Sequence, residues 1–253
     1  MEAVARWEGN PLGAVVDRSG VVPLTALTVL DSDEFNRVFG LGVEVPATQS
    51  AIETIRAFYQ GLGQAAFRVE LSSVSAPGEL SRWLEDAGLR RMPVTVTKLW
   101  ERLRGAAGRV EVPCGVEVRR LVSADRDAAA KLYALAYGAW DLQIPLAPWF
   151  SAPVGHPGFI HYGAFAGQRL VSIGAAFVES GVAWLGLAAT HPRYRSQNIQ
   201  QRLTAQRLAD VAHLGCELVH AEVRSDRMPS SRIRLFEHFY ERPSFASGTP
   251  RGG

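Results

Sequence analysis

Apolar residues recur along this chain at two spacings, one suited to strands and one to helices, and the switches between them mark out its elements. Early on, Gly13–Val16 and Val21–Leu30 are short apolar stretches set off by the turn signals Gly9-Asn10-Pro11 and Asp17-Arg18-Ser19-Gly20, which predicts a small strand pair. Phe35–Gly42 predicts a strand running into a glycine loop. Thr48–Gly61 places Ile52, Ile55 and Phe58 or Tyr59 at helical spacing. Phe67–Leu71 alternates as a strand does, Pro77–Gly88 sets Leu80, Trp83, Leu84 and Ala87 on one helical face, and Val94–Trp100 predicts a further strand. Gly105-Ala106-Ala107-Gly108 and Pro113 then interrupt the pattern, so 105–115 reads as a linker.

Beyond it, Val116–Leu121 predicts a strand, and Ser123 an N-cap for a helix over Asp125–Tyr137 whose Leu132, Leu135 and Ala136 face inward and which Gly138 ends. Asp141–Gly158 holds four prolines and two glycines and reads as a long loop. Phe159–Phe165, Arg169–Val178 and Val182–Ala189 predict three strands joined by Ala166-Gly167-Gln168 and Glu179-Ser180-Gly181. The third is apolar or small throughout, as a strand covered on both faces would be. A loop, Thr190–Asn198, leads into a helix with Ile199, Leu203, Val211 and Leu214 in one arc and Gly215 as its stop. Glu217–Val223 predicts another strand. Phe236–Phe245 admits two registers: a terminal strand preceded by a short helix at Ser230–Leu235, or a helix carrying Tyr240 with Pro243 inside it, which costs about 3 kcal/mol.

The composition bounds the function without naming it. At 253 residues, 47% hydrophobic and 21% charged, the chain has material for one large core or two small ones. No apolar run reaches membrane-spanning length, and Met1–Glu8 lacks the basic-then-apolar order of a signal peptide, so the expectation is a cytoplasmic protein with no membrane partner. Cys114 and Cys216 make neither a disulfide framework nor a metal-ligand set, and the six histidines are scattered. A net charge of +2 with mixed signs argues against a nucleic-acid partner. Gly40-Leu41-Gly42 lacks the rest of a dinucleotide fingerprint, and the sequence contains no nucleophile elbow, zincin motif or phosphate-binding Gly-Lys-Ser/Thr loop.

The loop before the helix of Ile199 is where chemistry can be read. A helix start presents unpaired N–H groups and the positive end of the dipole, a natural seat for phosphate. Arg195-Ser196-Gln197-Asn198-Ile199-Gln200 resembles the Arg/Gln-x-x-Gly-x-Gly/Ala loop of the GNAT superfamily, the acyl-coenzyme A-dependent N-acyltransferases, and the strand order on both sides resembles the central part of a GNAT domain over about 115–225. The first half is similar to the N-terminal region of longer proteins with two GNAT-like units in tandem, among which a Gln at the position of Gln200 is common. The resemblance implies an α/β (α+β) fold of tandem GNAT-like units, each a mixed central sheet flanked by helices: a degenerate N-terminal unit over 1–104 and an acyltransferase domain over 116–253. Asn198 stands where the family has glycine. Asn is the non-glycine residue best able to take a left-handed conformation. In the N-terminal half no such loop precedes Thr48, and Pro46 removes a backbone donor there.

The resemblance further implies acetyl-CoA, or another acyl-CoA, as co-substrate, with no metal. Arg195, Ser196, Gln197, Asn198, Ile199 and Gln200 would cradle its pyrophosphate, and the strand residues Leu187, Ala188 and Ala189 would lie along it, the N–H of Leu187 or Ala188 facing the thioester carbonyl. The acceptor would be a small-molecule amine or a peptide amine, with Asp141–Gly158 over its site. Glu222, which shares a strand face with His220, is the candidate base; Tyr240 is the candidate acid, from a family pattern like Tyr-x-x-x-Gly-Phe that Phe239–Phe245 imitates. The alternative is a non-catalytic GNAT-fold module that binds acyl-CoA or a partner; a third reading is the same fold acting on an acyl chain in secondary metabolism. Gln200, Thr204 and Arg207 form a polar stripe inside an apolar helical arc, where Arg207 either snorkels to solvent or pairs with something; pairing with the N-terminal unit would make the two halves one rigid body.

Overall fold

The computed structural model describes residues 9–10, 13–18, 20, 22–29, 31–33, 35–92, 96–102, 115–137, 146–156, 158–224 and 237–248. These fall into two compact units: the first holds residues up to Lys98 with Val223, Arg224 and those from Phe239 on, and the second holds Leu99–Glu222 with Glu237 and His238. The expected linker, apart from Gly115, and the short helix expected at Ser230–Leu235 lie outside the described residues.

In the first unit, β1 (Ala14–Asp17), β2 (Leu24–Leu27), β3 (Arg37–Phe39), β4 (Arg68–Glu70) and β5 (Arg90–Arg91) alternate with α1 (Gln49–Gly61) and α2 (Leu80–Asp86). The predicted helical spacing is realised. Ile52, Ile55 and Tyr59 are buried on one face of α1, Leu80 and Leu84 on one face of α2, and all join Val38, Val69 and Leu71 in a single core. Tyr59 resolves its own polar burden by donating its hydroxyl to the Thr25 carbonyl at 2.8 Å, while its ring stacks on Phe67 at 4.6 Å.

The last described strands depart from both expected registers in one respect: Pro243, which has no N–H to give to a ladder, divides them. β12 (Glu237–Arg242) and β13 (Ser244–Ala246) are separate strands, so Tyr240 lies on a strand and not on a helix. β13 fits between β4 and β5, pairing antiparallel with both, and gives a six-stranded sheet of order β1-β2-β3-β4-β13-β5. Phe245 is wholly buried in the first unit's core, and buried Glu70 lies 3.0 Å from Arg37 and 3.2 Å from Arg242. The expected domain limits assign these C-terminal residues to the second unit; the reason for the difference is that β4 and β5 leave a gap one strand wide, a backbone requirement that residue type does not announce.

The second sheet has seven strands in the order β12-β6-β11-β10-β9-β8-β7, with β6 (Val96–Arg102), β7 (Val116–Arg120), β8 (Phe159–Ala166), β9 (Arg169–Glu179), β10 (Val182–Thr190) and β11 (Leu218–Arg224). β7 to β10 form an antiparallel meander, and β10 pairs parallel with β11 after the crossover helix α5 (Ile199–His213). α3 (Arg126–Tyr137) and α4 (Leu146–Ser151) cover part of one face; α5 covers the other. Ser123 opens a 3-10 turn ahead of α3 and is not its cap; the Asp125 carboxylate accepts the Val122 N–H at 2.9 Å instead. Leu135, expected inside, is 45% exposed, and Tyr133 and Ala129 take the inward positions with Leu132 and Ala136. Tyr133 can do so because the sheet supplies an acceptor for its hydroxyl.

Candidate active site

β10 carries the main irregularity of the second unit. Its register against β9 shifts between Gly186 and Ala189, and Leu187 has φ of 48°, a left-handed conformation unusual for leucine. Two tyrosines of α3 hold this bulge from one side: Tyr133 donates to the Leu187 carbonyl at 2.7 Å and Tyr137 to the Ala188 carbonyl at 2.6 Å. On the other side, β10 and β11 pair only from Val182 to Leu185, opposite Leu218 to Ala221, and Glu222 is the next residue along. The ladder between these two parallel strands therefore stops where the bulge begins.

At the far end of β10 lies the loop singled out by sequence. Asn198 sits immediately before α5 with φ 59° and ψ 8°, and Ser196 is also left-handed at φ 63°. The asparagine side chain makes no capping bond. The N–H groups of Ser196, Gln197, Asn198 and Ile199 find no backbone acceptor among the described residues, and the side chains of Arg195 to Asn198 are exposed. Arg195 leans towards the C-terminal end of α3, its Nη2 3.3 Å from the Ala136 carbonyl, where a cation complements the helix dipole. Gln200 turns the other way: its amide nitrogen contacts the Ser172 hydroxyl at 2.9 Å and the carbonyls of Ile173 and Ala189 at 2.8 and 3.1 Å, tying the first turn of α5 to β9 and β10.

Of the two courses open to Arg207, it takes pairing over snorkelling. It is 3% exposed, and its guanidinium is spent inside its own unit, on the carbonyls of Leu203 (3.2 Å), Ala175 (3.0 Å) and Gly186 (3.5 Å) and on the Thr204 hydroxyl (3.0 Å). Gly174 makes room for it: a Cβ there would sit 2.8 Å from the Arg207 guanidinium carbon. Burial pushes its pKa down to about 10, so it remains charged at neutral pH. A cation lodged under Gly186, with no carboxylate bonded to it among the described residues, fixes the carbonyls next to the bulge, and no periodicity in the sequence foretells those partners.

The candidate base Glu222 and His220 are half-buried on one face of β11, the face on which Trp184 stands opposite His220 in register. Tyr240 lies two strands from β11, in the order β12-β6-β11, and its side chain is outside what the structure describes. Sequence reasoning passed over His161 on β8. It is 2% exposed, neither ring nitrogen has a hydrogen-bond partner among the described residues, and burial, aided by Arg207, lowers its pKa to about 4. Between pH 6.5 and about 4 the unfolded chain takes up a proton here that the folded chain refuses, so folding stability falls as pH falls through that window. The share lost is about 2–3 kcal/mol. Urea midpoints at pH 7 and pH 4.5 should therefore differ less in His161→Phe than in wild type; equal differences would show that His161 is not held neutral.

No protein-family model and no curated protein matches the sequence. Solved structures do match. A GCN5-related N-acetyltransferase from Kribbella flavida superposes with a TM-score of 0.68 at 18% identity, covering 95% of this chain and 90% of that one. A putative GNAT-family acetyltransferase from Novosphingobium aromaticivorans gives a TM-score of 0.56 at 17% identity over 97% and 96%. The chain thus has the fold of the GCN5-related N-acetyltransferases. More narrowly, it is similar over 94% of its length, at 17% identity and a TM-score of 0.66, to a tandem GNAT protein from the clavulanic acid biosynthesis pathway, of which 83% is covered.

Proposed function

We propose that the second unit is an acyl-CoA-dependent N-acyltransferase that moves an acetyl or other acyl group to an amine, and that the first unit is a non-catalytic partner. The observation that carries the reading is the conjunction on β10: a bulge beside a ladder that ends, followed within one strand by an open N–H array at a helix start. The array at Ser196–Ile199, with exposed Arg193 and Arg195 beside it, suits a pyrophosphate. These residues fit acyl-CoA, which when bound supplies an activated thioester carbonyl. Leu187 and Ala188, pinned through their carbonyls by Tyr133 and Tyr137, offer the N–H that would stabilise negative charge developing on that carbonyl oxygen. Glu222, just past the last β10–β11 pair, is the base of this reading and would take a proton from the attacking amine. The amine nitrogen forms a bond to the acyl carbon, the C–S bond breaks, and the thiolate leaves to be protonated from solvent.

The first unit supports its assigned role by the same criterion. Its loop ahead of α1 is filled by its own chain: the Ala47 N–H donates to the Ala76 carbonyl at 2.8 Å and the Ala76 N–H to the Gly42 carbonyl at 2.7 Å. Gly42, at φ 73°, lies so close to Ala76 that a Cβ would collide with its backbone. A phosphate would find the donor at Ala47 taken.

Calorimetric titration with acetyl-CoA tests this. Wild type and Asn198→Gly should bind; Arg195→Glu should lose roughly a hundredfold, and Asn198→Val, whose β-branched side chain resists the left-handed backbone, about tenfold or more. Absence of binding by wild type, with binding gained in Asn198→Gly, would favour the alternative of a GNAT-fold module whose loop has closed.

A further inference from the structure

Three strands of the second sheet carry a continuous aromatic row on the face that bears α3. Phe159 on β8 pairs in register with Phe177 on β9, and Phe177 with Trp184 on β10; the first two rings are 4.9 Å apart, and all three side chains are half-buried. The opposite face takes their neighbours, since Ile160, Ala176, Val178, Ala183 and Leu185 pack with α5. Along the adjacent row stand His161, Ala175 and Gly186, again in register. The Trp184 ring lies across Gly186, where any Cβ would run into it. One end of this aromatic floor is therefore the β10 bulge.

The other end is a cavity of about 450 Å³ whose nine lining residues include Arg120, Leu121, Ser123, His156, Phe159 and His161; Arg120 is the one cation among them, and none carries a carboxylate. A lining without negative charge gives a polyamine nothing to pair with. Aliphatic and aromatic walls with a few neutral polar groups suit a small molecule that is mostly apolar, and Arg120 at this end repels an ammonium, so an amine would point away from it. His161 stands out among those groups, because a buried imidazole with both nitrogens unpartnered among the described residues forfeits about 1–3 kcal/mol until something hydrogen-bonds it. Neutral imidazole offers one donor and one acceptor, the complement of a hydroxyl. From the backbone of His161 to that of Gly186 is two strand spacings, about 10 Å, which an arylethylamine with a ring hydroxyl can bridge once the imidazole is allowed its own reach.

We propose that this face binds a hydroxyaryl-alkylamine, with its ring over the Phe159–Phe177–Trp184 row, its hydroxyl on His161 and its amine at the Gly186–Ala189 bulge. Resting on the acyl-transfer reading above, such amines are the acceptor class. The flat ring finds aromatic partners at favourable separations, and the hydroxyl fills the unmet hydrogen-bonding capacity of His161. The amine is delivered to the one point on β10 where the ladder to β11 has ended and Glu222 follows.

The test is calorimetric titration of the full chain with tyramine, phenethylamine and spermidine, each with and without saturating CoA. Tyramine should bind roughly tenfold tighter than phenethylamine, which lacks only the hydroxyl, and spermidine should not bind. In His161→Phe the tyramine advantage should shrink to about twofold or less while phenethylamine binding is kept; a merely structural histidine would weaken both alike. Should the phenylalanine variant fail to fold, His161→Asn, which retains a hydrogen-bonding amide, should keep part of the preference. Equal affinities of tyramine and phenethylamine for wild type, a preference for spermidine, or no saturable heat from any arylamine with or without CoA would overturn the proposal. The CoA titration is read separately: tyramine binding without CoA binding leaves the site standing and removes the acyltransferase reading.

Discussion

Arg207→Glu is expected to unfold or severely loosen the second unit, with a loss of about 3–5 kcal/mol or more in urea denaturation. The side chain is buried, and among the described residues every hydrogen-bond partner it has is a carbonyl or hydroxyl oxygen: Leu203, Ala175, Gly186 and Thr204. A carboxylate in their midst would face three carbonyls and a hydroxyl whose proton already goes to the Gln200 carbonyl, leaving little to balance the loss of water. Arg207→Met separates charge from packing. It keeps most of the aliphatic stem, removes the cation and takes that donor from the carbonyls of Ala175 and Gly186, a penalty of about 1–3 kcal/mol. If glutamate and methionine cost the same, the carbonyl cluster is not what holds the guanidinium. A further expectation is a raised KM for acyl-CoA in any Arg207 variant that folds, since the Gly186 carbonyl borders the bulge.

Phe245→Ala should cost the first unit about 3–5 kcal/mol, the usual range for emptying a fully buried phenylalanine site. Phe245 is at zero exposure among Val69, Leu71 and the α1 and α2 side chains, and its backbone is paired with Val69 on one side and Arg91 on the other. Thermal melts followed by fluorescence of Trp83, in a variant with the other tryptophans replaced by phenylalanine, would report this unit. A melt unchanged by Phe245→Ala would mean that β4 and β5 hold without their middle strand.

Where the sequence was legible, its legibility came from periodicity. Ile52 and Ile55, or Leu80 and Leu84, bury as their spacing predicts because a helix fixes which side chains share a face. The meander β8 to β10 was equally plain, since glycine and serine turns separate runs of apolar residues. Asn198 could be assigned a left-handed backbone because so few side chains tolerate one. Leu187, also left-handed, could not, for nothing about leucine suggests it; the bulge that imposes it arises from the register between two strands. His161, the partners of Arg207 and the place of β13 escaped for the same kind of reason. Each owes its place to a long-range partner, whether an aromatic row, the space over Gly174 or the gap between β4 and β5, and a one-dimensional pattern holds no record of those. Leu135 and Ser123 mark the opposite failure, residues whose type fitted a rule that Tyr133 and Asp125 satisfied instead.

The position of β13 bears on how this protein is made. A ribosome delivers β1 to β5 and both helices of the first unit long before Ser244–Ala246 emerges, so during synthesis β4 and β5 must wait as two unpaired edges with an apolar slot between them. The second unit's meander and α5 rely on contacts between neighbours in the chain and can condense meanwhile. The half made first would thus become native last, and nascent chains stalled before residue 244 should be the species that chaperones and proteases recognise.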